Sequence, residues 1–194
     1  MLLYRQVEPT EIQRRLTRLH PVAMRLEMKL GRHDSYLLDD TYNNDLAGLA
    51  LALAALARQA RPGRRTLILS DVLESGLGPP ELYVRVAALL PAHGVTRIVA
   101  IGQDIKQLAI SSEQLSNAEQ AGEAQNLLIE FYPSTEAFLS ALDPADFAHE
   151  TILVKGARRF GFERIVAVLQ AQQHGTVLEV NLDALAYNLQ YFRQ

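Results

Sequence analysis

Leu37 to Asp45 reads Leu-Leu-Asp-Asp-Thr-Tyr-Asn-Asn-Asp, an apolar run that breaks into acids, a hydroxyl and amides just before the Ala/Leu-rich stretch beginning at Leu46. An ionised carboxylate only accepts hydrogen bonds, which suits ligand hydroxyls, whereas an amide both donates and accepts. Asp39, Asp40, Tyr42, Asn43 and Asn44 are therefore candidates for holding a polar ligand. The plainer alternative is that Asp40 or Thr41 only caps the helix that follows. A second cluster is Lys155-Gly156-Ala157-Arg158, where two cations follow the apolar run Thr151 to Val154 and precede another helical pattern. A ligand carboxylate could meet both cations and a helix N-terminus there. Its plainer alternative is a structural bridge from Lys155 to Asp39 or Asp71.

Both clusters sit where a strand pattern gives way to a helix pattern. In open α/β sheets the carboxyl ends of the strands form the crevice that ligands use. Strand-like runs occur at Tyr36 to Asp39, Thr66 to Leu69, Thr96 to Ile101, Leu127 to Phe131 and Thr151 to Val154. Helical patterns alternate with them, from Leu46 to about Gln59, Glu81 to Leu90, a short one opened by Ser134 or Thr135 as cap, and Phe162 to Gln172. Arg61-Pro62-Gly63 stops the first helix, and His93-Gly94 is a C-cap signal for the second. The polar stretch from Gln103 to Gln125 reads as broken helix and loop. Five βα units in series predict an α/β fold with a doubly wound, mostly parallel sheet covered on both faces.

The ends depart from that module. A helix start at Glu8-Pro9-Thr10-Glu11 runs to about Leu19 and stops at His20-Pro21, and Val22 to Lys29 is an extended, hinge-like segment with one arginine, Arg25, among apolar neighbours. Thr176 to Asn181 reads as a further strand, and Asp183 to Arg193 as the beginning of a helix. A final pattern that breaks off there points to a piece of a longer polypeptide. The expected division is residues 1–30 as the end of a preceding domain with its hinge, 31–173 as the α/β domain, and 174–194 as the start of another domain.

Composition narrows the function classes. A chain of 194 residues with 48% hydrophobic content can bury one good core. The formal net charge of -3 and the scattered arginines leave no broad basic surface, which argues against nucleic-acid binding. The absence of cysteine rules out disulfides and thiolate metal sites, and the first residues lack a signal-peptide pattern, so a cytoplasmic location fits. The apolar stretch Leu46 to Ala57 is well short of the roughly 20 residues that span a bilayer, so no membrane span is expected. His20, His33, His93, His149 and His174 are dispersed, and no zinc site is assigned. Asp71 and Glu74 could bind a metal, but capping or loop bracing is the favoured role, and no metal-binding residue is assigned.

Four motifs taken together resemble the carboxy-terminal domain of the Mur ligases: Met24-Arg25-Leu26-Glu27, Asp39-Asp40-Thr41-Tyr42-Asn43-Asn44, Ser70-Asp71-Val72-Leu73-Glu74-Ser75-Gly76, and Val154-Lys155-Gly156-Ala157-Arg158. The similarity covers about residues 8 to 173 and is strongest to the family members that add D-alanyl-D-alanine to UDP-N-acetylmuramoyl-tripeptide in peptidoglycan synthesis. Such enzymes phosphorylate the tripeptide carboxylate with ATP, and the dipeptide amine attacks the acyl phosphate. The resemblance implies that Arg25 approaches the nucleotide phosphates as a catalytic residue, a task for which a bidentate guanidinium is suited. It implies nucleotide contacts by Asp40, to the ribose hydroxyls, and by Tyr42, Asn43 and Asn44 beside base and ribose. Asn44-Asp45 stands where many relatives have Ala-Asn-Pro, which leaves open which asparagine touches nucleotide. It places Lys155, Gly156 and Arg158 against the incoming dipeptide, with alanine at 157 where a serine is common. ATP and magnesium would be bound mainly by a central domain. None of the three lysines, Lys29, Lys106 and Lys155, follows a glycine, so no phosphate loop exists here and the chain alone should be inactive.

His174-Gly175-Thr176-Val177-Leu178-Glu179-Val180-Asn181-Leu182-Asp183-Ala184-Leu185 resembles the opening of alanine racemase, as in bacterial ligase–racemase fusions. Pyridoxal phosphate would belong to the racemase part alone, since its Schiff base needs a lysine and none follows Lys155. The apolar residues of this tail are expected to stay disordered or to pack against a second copy as a homodimer. The rival from another class is a receiver-like signalling or interaction domain, which also places paired acids after the first strand and a lysine after the fifth. It needs an aspartate at the end of the third parallel strand, where Ile101-Gly102 stands.

Overall fold

The computed structural model describes residues 23–59, 62–73, 75–111 and 127–172, with residues 8, 10, 11 and 14 described singly. The tail expectations therefore lie outside the described residues, as does most of the helix expected from Glu8. Thr10, Glu11 and Arg14 are helical, and Arg14 Nε donates to Glu11 at 2.8 Å.

Six strands form one sheet: β1 (Glu27–Leu30), β2 (Tyr36–Asp40), β3 (Arg65–Ser70), β4 (Arg97–Ile101), β5 (Leu128–Tyr132) and β6 (Thr151–Lys155). Their spatial order is β1-β2-β6-β3-β4-β5. All neighbours are parallel except the β1–β2 hairpin, which puts the expected extended segment onto the sheet as an antiparallel edge. The five expected parallel strands are all present. Numbered in chain order their arrangement is first-fifth-second-third-fourth, which differs from the 2-1-3-4-5 order of receiver folds.

Side chains alternate across the strands because the strand period is two. Leu38, Leu67, Leu69, Ile98, Ala100 and Leu153 face one core layer, under helices α1 (Leu46–Ala57) and α2 (Pro79–Ala92). Leu37, Ile68, Val99, Ile101, Ile152 and Val154 face the other, under α3 (Thr135–Ala141) and α4 (Glu163–Leu169). In α1 the buried positions Leu49, Ala52, Leu53 and Leu56 recur at the spacing that lays one helical stripe on a sheet. The two prolines that open α2 occupy first-turn positions, where a missing N–H costs nothing. His93 ends α2, with Gly94 at φ +67 just beyond. α4 stops at Leu169, short of the expected end, because Gln170 bridges to Gly31 and Ala171 N donates to Leu30 O. The stretch after β4 opens with a 3-10 turn (Asp104–Lys106) and a helical run over 107–111.

Candidate functional site

The strand order creates the site. β6, the last strand, is inserted between β2 and β3, so the acidic turn after β2 and the cationic turn after β6 emerge side by side at the carboxyl end of the sheet. Asp40 lies opposite Lys155 in the parallel register, and Lys155 Nζ donates to Asp40 Oδ2 at 2.6 Å across 115 residues of sequence. The ammonium also donates to the backbone carbonyl of Asn43 at 2.8 Å. Lys155 is 2% exposed, so a charge in that position needs such partners to offset its desolvation.

The structure corrects the plainer alternatives for these residues. Lys155 pairs with Asp40 rather than with Asp39 or Asp71. Asp39 is held from the other side of β2: Lys29 Nζ donates to it at 2.6 Å, and Thr41 donates through both its backbone N–H and its hydroxyl. Burial alone would lower the Lys29 pKa, but its hydrogen bond and attraction to Asp39, and then to Glu27, outweigh that and raise it. Asp71 accepts backbone N–H groups from Gln103 and Ile105, the loop-bracing role favoured above. The cap of α1 is neither Asp40 nor Thr41 but Asp45, whose Oδ1 accepts from Gly48 N at 2.8 Å.

The candidates divide by exposure. Asn44 is fully buried and donates through Nδ2 to Ser70 O, Ser70 Oγ and Asp71 O, which ties the acidic turn across the end of β6 to the end of β3. Its Oδ1 has no partner among the described residues. Gly156 is buried against Phe162, and a Cβ there would stand 2.5 Å from the ring. Asn43 is exposed and donates to Asp45. Arg25 and Arg158 are exposed, and both lie over the Tyr42 ring, with Cζ 4.6 and 5.5 Å from its centroid. Arg25, Leu26, Asp40, Tyr42, Asn43 and Lys155 line one cavity of about 180 Å³, closed on the α1 side by Gly48 and Leu51.

Residue-type reasoning passed over Ser70. Its buried hydroxyl accepts Ala157 N at 2.9 Å while Asn44 reaches it from the acidic turn, so one side chain fastens both turns to β3. A serine ending an otherwise apolar strand, followed by an acid, was the available signal. A second, larger cavity of about 550 Å³ lies between α1 and α2, shares Asp45 with the first, and is lined mainly by apolar residues, with Ser75 and Arg85 as polar members. Among the described residues no three His, Asp or Glu side chains gather to hold a metal ion. Asp40, whose Oδ2 is taken by Lys155, suits a nucleotide's hydroxyls through Oδ1, and Arg25 and Arg158, which have no carboxylate among the described residues, suit its phosphates.

Fold and cleft together define the class: a doubly wound α/β domain with a crevice at the carboxyl ends of the strands, shaped like the carboxy-terminal domain of Mur ligases. Two crystal structures of MurF from Acinetobacter baumannii superpose with TM-scores of 0.64 and 0.65 at 20% and 19% identity, covering 86% and 85% of this chain and 34% of each enzyme. In sequence, the chain is 30% identical over 142 residues to the UDP-N-acetylmuramoyl-tripeptide--D-alanyl-D-alanine ligase of Escherichia coli (strain K12), covering 72% of this chain and 27% of that enzyme. The chain thus spans about a quarter to a third of the length of these relatives. No family model matches it. Among the described residues no helix is long and apolar enough to cross a membrane.

Proposed function

We propose that the chain is the dipeptide-side domain of an ATP-driven amide ligase that joins D-alanyl-D-alanine to UDP-N-acetylmuramoyl-tripeptide in peptidoglycan synthesis. The observation that carries this reading is the 2.6 Å contact between Asp40 and Lys155, which brings two sequence-distant motifs of the ligase resemblance into one cleft. In that chemistry the tripeptide carboxylate takes the terminal phosphoryl group of ATP, releasing ADP. The dipeptide amine then attacks the acyl carbon, forms the amide and expels phosphate. Most of the catalysis is positioning and stabilisation of charge on the phosphoryl group.

Within this chain, Asp40 is held by Lys155 so that Oδ1 faces the ligand as an acceptor, and Arg25 supplies a cation from the hinge. Tyr42 and Asn43 are the exposed members of the nucleotide set, whereas Asn44 works from beneath, by fixing the turn. In the dipeptide-facing loop, Lys155 and Gly156 form the frame and Arg158 is the side chain open to ligand. Magnesium and the phosphate loop belong to another part of the enzyme, so the chain alone is expected to show no ATP turnover. In the full-length ligase, Arg25→Ala and Asp40→Ala should each cut the ligation rate at least about tenfold, the loss of one charged hydrogen bond. Unchanged turnover would remove them from the site.

We further propose, on the sequence of residues 174–194, that the domain is followed by an alanine racemase needing pyridoxal phosphate, that the chain comes from a ligase–racemase fusion of the cytoplasm, and that the isolated tail pairs two copies. The full-length reading frame tests the fusion, through a Schiff-base lysine downstream. Sedimentation of the chain tests the dimer.

A further inference from the structure

We propose that Tyr42 is a positioning residue that arrays Arg25 and Arg158 as a two-cation receptor for a phosphate chain. The ligand class rests on the ligase reading, from which the proposal departs by giving Arg158 to phosphate instead of the dipeptide, while the receptor itself rests on geometry. Of the cations at the cleft, Lys155 is neutralised by Asp40 and sealed from solvent. Arg25 and Arg158 are exposed and have no carboxylate partner among the described residues, although the domain has acids enough to pair most of its other cations. Two unpaired guanidiniums repel each other, so their convergence on one ring needs a cause. The π-face of Tyr42 provides it, because a ring quadrupole attracts both. With Cζ atoms 4.6 and 5.5 Å from the same centroid, the two charges are at most about 10 Å apart. That is a span a di- or triphosphate can bridge, with a guanidinium fork free to take paired oxygens at each end.

The backbone supports the same assignment. Met24 and Leu26, on either side of Arg25, both have left-handed φ values of 61° and 49°. Neither residue type favours that region, and such strain of roughly 1–3 kcal/mol per residue persists only where surrounding contacts enforce it. Here Tyr42 N donates to Met24 O at 3.3 Å and Met24 N donates to Glu27 at 3.3 Å, folding the hinge so that Arg25 lies over the ring. On the other side, Ala157 N is fixed by Ser70 Oγ, which sets where Arg158 leaves the cationic turn.

Titration calorimetry of the 194-residue chain with inorganic tripolyphosphate tests this directly, with D-alanyl-D-alanine as competitor. Arg158→Ala should weaken binding about tenfold, the loss of one charged hydrogen-bonding partner. Tyr42→Ala should weaken it about three- to fivefold although both arginines remain, and Tyr42→Phe should restore it, because the ring rather than the hydroxyl does the positioning. These side chains are exposed, so thermal unfolding should be unchanged in all three variants. Wild-type affinity in Tyr42→Ala or Arg158→Ala, or no binding by the unmodified chain, overturns the receptor and leaves the ligase reading intact. Displacement of tripolyphosphate by the dipeptide assigns the pair to a carboxylate and overturns the phosphate chemistry. Variant-sensitive tripolyphosphate binding combined with a full-length enzyme that forms no amide keeps the receptor and removes the ligase reading.

Discussion

Lys155 shows how a residue type can be informative in sequence while its role is fixed only by its neighbours. Its place after an apolar run marks a strand end, but the sequence offered Asp39, Asp71 or a ligand as partner, and the structure gives Asp40 and the Asn43 carbonyl. Asp39 and Asp40 are adjacent, so their side chains leave β2 on opposite faces; that parity assigns Lys29 to the first and Lys155 to the second. Removing one member of a buried pair leaves the other charge unpaired. Lys155→Met should therefore destabilise the domain by about 3 kcal/mol in urea unfolding, and Lys155→Met with Asp40→Asn should recover most of that loss. A double variant as unstable as the single one would show that the Asn43 carbonyl, not Asp40, is the partner that matters.

The elements were largely legible because hydrophobic periodicity is local. Alternating strand and helix patterns, the proline-rich start of α2, and the Ser134 cap of α3, which accepts from Ala137 N, are visible in short windows of sequence. The insertion of β6 between β2 and β3 was not, since the inner strands share the same apolar middles, which carry no information about their neighbours. Nor was β1: Met28 and Leu30 stay exposed, so the strand lacks the buried face that would betray it. Its hairpin explains why the sequence was mute. His33 and Asp34, at φ 52° and 57°, form the two central residues of a turn closed by Ser35 N donating to Arg32 O. Both being left-handed is the type I′ pattern, normally signalled by Asn-Gly. Asp34→Gly should therefore stabilise the domain by about 1 kcal/mol, because relief of a left-handed backbone exceeds the exposed contact of Asp34 with His149 at 3.3 Å. A lower thermal midpoint in this variant would mean that the His149 contact is the stronger constraint.

Across the whole molecule, the two ends of the sheet are treated differently. At the amino end, Glu150 is 5% exposed and accepts the Thr66 hydroxyl at 2.6 Å, with Arg64 at 3.3 Å and Arg97 at 3.8 Å. Arg97 also pairs with Glu130 at 2.8 Å, donates to Asp146 O and covers Phe147. The charges of this network satisfy one another and join β3, β4, β5 and the turn before β6. At the carboxyl end, among the described residues, Arg25 and Arg158 have no carboxylate and Asn44 Oδ1 has no donor, while the amino end has its own unpartnered atom in Thr96 Oγ1 and its own left-handed residues in His33, Asp34 and His149. What sets the carboxyl end apart is the convergence of two exposed guanidiniums on one ring with no acid between them, an arrangement that suits a surface completed by an anion. Stability and ligand binding should then separate by end. Glu150→Ala, which leaves two arginines around an empty acceptor position, should cost about 3 kcal/mol in urea unfolding and leave tripolyphosphate affinity within about twofold of wild type. If affinity instead fell in step with stability, the amino-end network would be shaping the cleft through the strands, and the two ends would have to be treated as one cooperative unit.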